Sequence, residues 1–405
     1  VISVEEARAR ILKAVAALPA EQVALAQALG RVLAEDVAAQ VTQPPAAVSA
    51  MDGYAVRAAD VAKVPATLTV IGKVPAGGAF KGSIGKGEAA RIFTGAPVPE
   101  GADTIVIQED TEAAGRKVVV KEAPKRKGQF VRPAGLDFRR GDVGVTAGRR
   151  LTARDIGLAA AMNVPWLKVH RRPRVAILST GDELVMPGEP IGASQIVCSN
   201  GVSLAAAVAA FGGEAWDLGI VPDDRKALAA MARGARGADL LVTTGGASVG
   251  EHDLVREVLG KAGLRVDFWK IAMRPGKPLI FGHIAGTPML GLPGNPVSAL
   301  VCALIYLKPA LEKMQGLDPD QGPPAAAVLG APLPANDRRQ DYLRATLKRR
   351  KDGALVATPF AKQDSSMLAT LAHADCLVVR PPLAPAARAG ERVEIVPFPG
   401  GTAGI

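Results

Sequence analysis

Aromatic residues make up only 4% of this 405-residue chain, which has three cysteines and four histidines. With so few aromatics the cores must be built from Ala, Val and Leu, and there is little on which nucleic-acid bases could stack. Cys198, Cys302 and Cys376 are far apart with no Cys-x-x-Cys pair, and His170, His252, His283 and His373 show no His-Glu-x-x-His spacing. That argues against a zinc site or a disulfide framework and fits a reducing compartment. No apolar run reaches the ~18 residues a membrane helix needs. The longest, Val202–Phe211 and Val297–Leu307, read as buried helix. The opening VISVEEARARILKAV mixes charge with Ile, Leu and Val at helical spacing and lacks the regions of a signal peptide. The expectation is a cytoplasmic protein with no membrane partner.

What the chain has is positive charge, a formal net +10. Basic clusters stand at 121–132 (KEAPKRKGQFVR), 171–174 (RRPR) and 348–351 (KRRK). They are scattered, broken by Pro and Gly, and carry no interleaved aromatics. They read as solvated loops rather than a specific nucleic-acid surface. A positive field also draws in small anionic substrates.

Four units follow from the patterning. Residues 1–45 with 138–170 read as a helical N-terminal and linker unit, from the helical spacing of Val4–Ala17, Ala24–Val37 and Ala153–Met162. Residues 46–137 carry short β-rich runs between Gly/Pro turns and read as an inserted small β domain. Over 171–318 strands and helices alternate, which predicts a three-layer α/β domain with a mostly parallel sheet. Residues 319–405 turn strand-rich again and read as a β-barrel-like domain.

Three Gly-rich loops follow apolar strands in the α/β unit: STGDEL (Ser179–Leu184), TTGGASVGEHD (Thr243–Asp253) and MRPGKP with GLPGNP (Met273–Pro278, Gly291–Pro296). Such loops expose backbone N–H groups to an anion. They fall where ligands bind α/β sheets, beyond the carboxyl ends of the strands. Glu183, Asp223 and Asp253 follow successive strands and could share a hard cation, since Mg²⁺ uses few carboxylates plus substrate phosphates. Helix capping by Asp224 and Asp253 is compatible with that role. Lys270, Arg274 and Lys277 surround a stiff Pro-Gly turn suited to an oxyanion. Gly294 and Asn295 precede a helix beginning at Pro296, a start with free N–H groups. There is no Walker-A pattern and no dinucleotide fingerprint. In the inserted unit, Asp52-Gly53, Thr94-Gly95 and the GLDFRRGD segment at Gly135–Asp142 read singly as tight turns.

Taken together, AMDGYAV, FTGAPVPEGAD, GLDFRRGD, LSTGDEL, TTGGASVGEHD, FWKIAMRPGKP and GLPGNPVSALV resemble the molybdopterin molybdenumtransferase family, MoeA in bacteria and the E domain of gephyrin. They run in family order from 50 to 301. The resemblance implies Mg²⁺-dependent insertion of molybdate into adenylylated molybdopterin with release of AMP. It implies an elongated homodimer whose cleft lies between the α/β unit of one subunit and the β unit of the other, and transient contact with the molybdopterin adenylyltransferase. It implies catalytic roles for Asp52, Thr94, Asp137, Glu183, Asp223 and Asp253, the last three also holding metal. Gly245, Gly246 and Ser248 would cradle pterin or pyrophosphate. Lys270, Arg274 and Lys277 would hold the anion, with Pro293 and Pro296 shaping the loop and Arg344 and Ser365 or Ser366 near molybdate.

Three positions depart from the family pattern: Arg274 where Lys is usual, Cys198 where an acidic residue or Asn is common, and His373–Asp375 in place of an Ala-Asn pair. A scaffold protein of the same fold and a tungstate-inserting homologue are the alternative readings. Intact cleft carboxylates and lysines weigh against the scaffold, and the flanking domains weigh against a single-domain adenylyltransferase.

Overall fold

The computed structural model describes residues 1–222, 224, 226–227, 230, 234–245, 260, 263–319 and 325–398. The first helix, Val4–Ala14, is set by local chemistry: Ser3 Oγ accepts from Glu6 N at 3.0 Å, Glu5 and Glu6 lie in the first turn and Lys13 in the last. Val4, Ala7 and Ile11 form its buried stripe. That stripe does not pack on the linker unit. It joins the core of the α/β unit, beside the helix Lys308–Met314 and the bridge Ile2–Ile271.

The helix expected over Ala24–Val37 is absent. Ala20–Ala24 is a strand paired antiparallel with Trp166–His170, followed by a single 3₁₀ turn at Leu25–Gln27. Gly30 has φ +73°, which no right-handed helix accommodates. Good helix formers are overruled here by pairing and burial: Val23, Leu33 and Val37 pack with Phe138, Leu151, Met162 and Leu167. The helix Ala153–Ala161 does form, and a capping box joins Thr152 and Asp155.

The inserted unit is a six-stranded sheet in the order Thr104–Ile107, Gly53–Val56, Glu88–Ile92, Ala66–Val74, Lys117–Val120, Thr111–Ala114. Apolar clusters cover both faces. Gly53 is not the tight turn its Asp-Gly dipeptide suggests. It opens a strand, and a Cβ there would collide with the carbonyl oxygen of Val106.

In the α/β unit the sheet runs Glu214–Val221, Arg174–Thr180, Leu240–Thr244, Thr287–Leu292, Ile280–Ile284, Leu264–Phe268. The first four strands are parallel and the next pairings antiparallel. The helices expected over 225–235 and 253–262 fall largely outside the described residues. At the C-terminus five strands close into a barrel, Gln340–Arg349 pairing with both Leu355–Pro359 and Cys376–Arg380. Met273–Arg274 adds to it as a further strand, parallel to Gln340–Asp341. Tyr342, Leu377 and Val379 of the barrel share the α/β core. No helix among the described residues is long and apolar enough to cross a membrane.

Candidate functional site

The parallel strands deliver their carboxyl ends to one edge of the sheet, and a cleft of about 620 Å³ opens there. Of the residues expected from sequence, Glu183, Gly245, Pro293, Pro296 and Ser366 line it. Gly245 has φ +86° and sits so close that a Cβ would strike the Thr180 carbonyl. Glycine is therefore required twice over, by backbone conformation and by space.

Thr180, Cys198, Asn200 and Thr244 also line the cleft, and sequence reasoning gave them no role. Asn200 Nδ2 donates to Thr244 Oγ1 at 2.8 Å and to Gly294 O at 2.7 Å, and Thr244 Oγ1 donates to Pro293 O at 3.2 Å. Asn200 Oδ1 and Thr180 Oγ1 are buried with no hydrogen-bond partner among the described residues. A polar residue at the first position of the helix Asn200–Ala210 was the one available signal.

The cations fall differently from expectation. Arg274 does not offer a spare charge to an anion. Its guanidinium pairs with Asp341, lies 3.5 Å from Asp337 and 3.4 Å from Asn336 Oδ1, and clasps the turn to the barrel. Lys277 is exposed, and Lys270 Nζ lies 3.8 Å from the Trp269 ring centroid. Arg344 is 1% exposed. Its Nε donates to Gln363 Oε1 at 3.1 Å and its Nη1 to Asp364 O at 2.9 Å, so it organises the 363–367 loop from beneath. That loop carries the two serines. Ser365 O accepts from Val297 N at 3.2 Å. The helix start at Pro296, expected to be free for an anion, is thus already engaged. Ser365 Oγ accepts from Asn295 Nδ2 at 3.1 Å, whereas Ser366 Oγ donates to Asp364 Oδ1 at 2.6 Å.

A second polar group sits on the inserted β unit. Asp52 Oδ1 accepts from both Thr94 N and Thr94 Oγ1 at 2.8 Å. The bond from the Thr94 backbone, then that from its hydroxyl, hold the Asp52 carboxyl below its ordinary range. Arg91 stands nearby, stacked 4.8 Å from the Phe93 ring centroid. Asp137 shares a groove of about 550 Å³ with Gly95, the residue after Thr94. Among the described residues none of these three lines the α/β cleft of the same chain.

Asp223, Gly246, Ser248 and Asp253 lie outside the described residues. Among the described residues no three His, Cys, Asp or Glu side chains converge as a metal site. Glu183 alone of the expected metal carboxylates is placed, on the cleft lining.

Residues 2–163 match the MoeA N-terminal region (domain I and II), 176–313 a probable molybdopterin binding domain, and 326–398 the MoeA C-terminal region (domain IV). The molybdopterin molybdenumtransferase of Haemophilus influenzae is 35% identical over 98% of this chain and 98% of its own length. The chain belongs to the MoeA family. The molybdopterin molybdenumtransferase of Nostoc sp. is 42% identical over 73% of this chain and 70% of its own. The crystal structure of the molybdopterin biosynthesis MoeA protein from Pyrococcus horikosii has a TM-score of 0.84 at 32% identity, covering 99% of this chain and 100% of that one. In MoeA terms, the 620 Å³ cleft is lined by the probable molybdopterin binding domain together with Ser366 of the C-terminal region, and the Asp52–Thr94 pair lies within the N-terminal region.

Proposed function

We propose that this MoeA-family chain is a molybdopterin molybdenumtransferase that inserts molybdate into adenylylated molybdopterin and releases AMP. The observation that carries the reading is the cleft at the ends of the parallel strands, in a chain matched along its length by relatives of that name. The cleft lies where an α/β sheet binds ligands, and its volume suits a molecule of nucleotide or pterin size.

Glu183, with Asp223 and Asp253, is the proposed carboxylate set for Mg²⁺. One placed carboxylate on the cleft lining fits a cation that takes few protein ligands and fills its shell from water and phosphate. Bound there, the cation would offset charge on the phosphoanhydride. Lys277 and Lys270 supply the cationic field for the oxyanion. Ser365 is the better hydroxyl donor of the two serines: its oxygen already accepts from Asn295, leaving its own hydrogen to give, while the Ser366 hydrogen goes to Asp364. The separation of Asp52, Thr94 and Asp137 from the cleft supports a homodimer, in which the β unit of one subunit faces the cleft of the other. A cytoplasmic site of action, with substrate handed over by an adenylyltransferase, completes the reading.

The test is AMP release from adenylylated molybdopterin with Mg²⁺, with and without molybdate. Molybdate-dependent release, abolished by Asp223→Asn or Asp253→Asn, is the expected result. No AMP with any oxyanion overturns the enzymatic reading. Release driven by tungstate alone reassigns the metal.

A further inference from the structure

The orientation of the Asn200 side chain is fixed by its neighbours. Gly294 O is a carbonyl and can only accept, so the Asn200 nitrogen must face it. The second amide hydrogen meets Thr244 Oγ1, whose own hydrogen goes to Pro293 O, a further carbonyl. Flipping the amide would set two acceptors against each other at 2.7 Å. The carbonyl oxygen Oδ1 is thereby turned away from both partners. It has none of its own among the described residues, in a residue only 9% exposed. A buried acceptor without a donor is unfavourable, and native structures carry few of them. Thr180 Oγ1, on the same cleft lining, is in the same condition.

Asn200 therefore does two things. Its nitrogen ties together the three segments that shape the cleft: the helix start at 200, the strand end at Thr244 and the turn at Gly294. Its oxygen stands ready for a donor that the described residues do not supply. A phosphate or an oxyanion has only acceptors to offer, so the matching group is an N–H or O–H on the organic part of the substrate. The amino-pyrimidinone edge of a pterin carries such groups. We infer that Asn200 is a specificity-determining residue of the cleft, accepting through Oδ1 an N–H of the pyrimidine edge of the bound pterin. The inference rests on the proposed molybdopterin substrate, but not on turnover.

Binding of pterin-6-carboxylate and of AMP would be measured by titration on the full chain, wild type and Asn200→Ala. Loss of one buried hydrogen bond predicts pterin binding weakened about tenfold or more, with AMP binding unchanged. Pterin binding unchanged in Asn200→Ala overturns the inference. So does equal loss for pterin and AMP, which would mark loop collapse, and so does no pterin binding by the wild type. If Asn200→Ala does not fold, the wild type decides. A pterin-6-carboxylate methylated at N3 and dimethylated at the 2-amino nitrogen should fail to compete, and equal competition counts against the inference. Molybdate-dependent AMP release by the wild type, found alongside unchanged pterin binding in the variant, would leave the transferase reading standing without it.

Discussion

A carboxylate that accepts two hydrogen bonds from one residue is held ionised by geometry, and Asp52 is such a group. Its folded value lies below the ordinary one, so its contribution to stability is present above the unfolded value and lost as pH falls through the folded value. Thr94→Val removes the hydroxyl donor and keeps the backbone N–H. The Asp52 pKa should then rise part of the way towards 3.8, followed by carboxyl-carbon NMR titration; an unmoved value would show that the hydroxyl plays no part. Ser365→Ala should raise the apparent KM for molybdate more than Ser366→Ala, in steady-state kinetics at fixed Mg²⁺. Equal effects would defeat the hydroxyl assignment. Asp52 and Thr94 were reachable only through the family resemblance, since each reads singly as a tight turn, whereas Glu183 was legible in a Gly-acid loop at a strand end and lines the cleft. Asn200 was not, because its partners lie 44 and 94 positions along the chain and only folding brings them together. Arg274 and Arg344 were legible as cations, but their carboxylate, carbonyl and amide partners come from the barrel and its 363–367 loop, which no local pattern announces.

Among the elements, the strands of the α/β sheet were readable because each is a short apolar run bounded by Gly, Pro or Asp. The segment 24–37 misled because Ala, Leu and Gln favour helix in isolation, whereas its pairing partners (Trp166 for Ala24, Arg150 for Val32, Val169 for Leu33 and Val145 for Val37) lie more than 100 residues further on. The helix Ala153–Ala161 agreed with its sequence because its cap is local. Thr152→Ala should cost about 1 kcal/mol of stability at neutral pH. Burial raises the Asp155 pKa, but the bonds from Thr152 and the charge of Arg149 outweigh it and the net shift is downward. The capping contribution is thus present above the unfolded Asp value and lost as pH falls through the folded one. The gap between the denaturant midpoints of wild type and Thr152→Ala should narrow as pH falls below the ordinary Asp value. A gap that stays constant with pH would show that Asp155 is not coupled to the cap.

For the molecule as a whole, domain lines drawn along the chain do not coincide with the apolar cores. The first helix belongs to the α/β core, and one side of the C-terminal barrel shares that core through Tyr342, Leu377 and Val379. Deleting residues 1–18 removes the buried Val4, Ala7, Ile11 and Val15, on the order of 5 kcal/mol of apolar burial. Hydrogen exchange should then quicken in Lys308–Met314 and in the α/β strands, and stay unchanged in the inserted β unit. Quickening confined to residues 20–45 would refute that placement. The same helix has a consequence for synthesis on the ribosome. Leu18 N donates to Met314 O, and Lys313 Nζ to Leu12 O, so the docking surface of the first helix is made about 300 residues after the helix itself. At roughly 5–20 residues per second the helix waits on the order of 15–60 s for its partner. The helix is made long before it can be seated, and a nascent chain stalled before Met314 presents its apolar stripe to whatever guards emerging polypeptides.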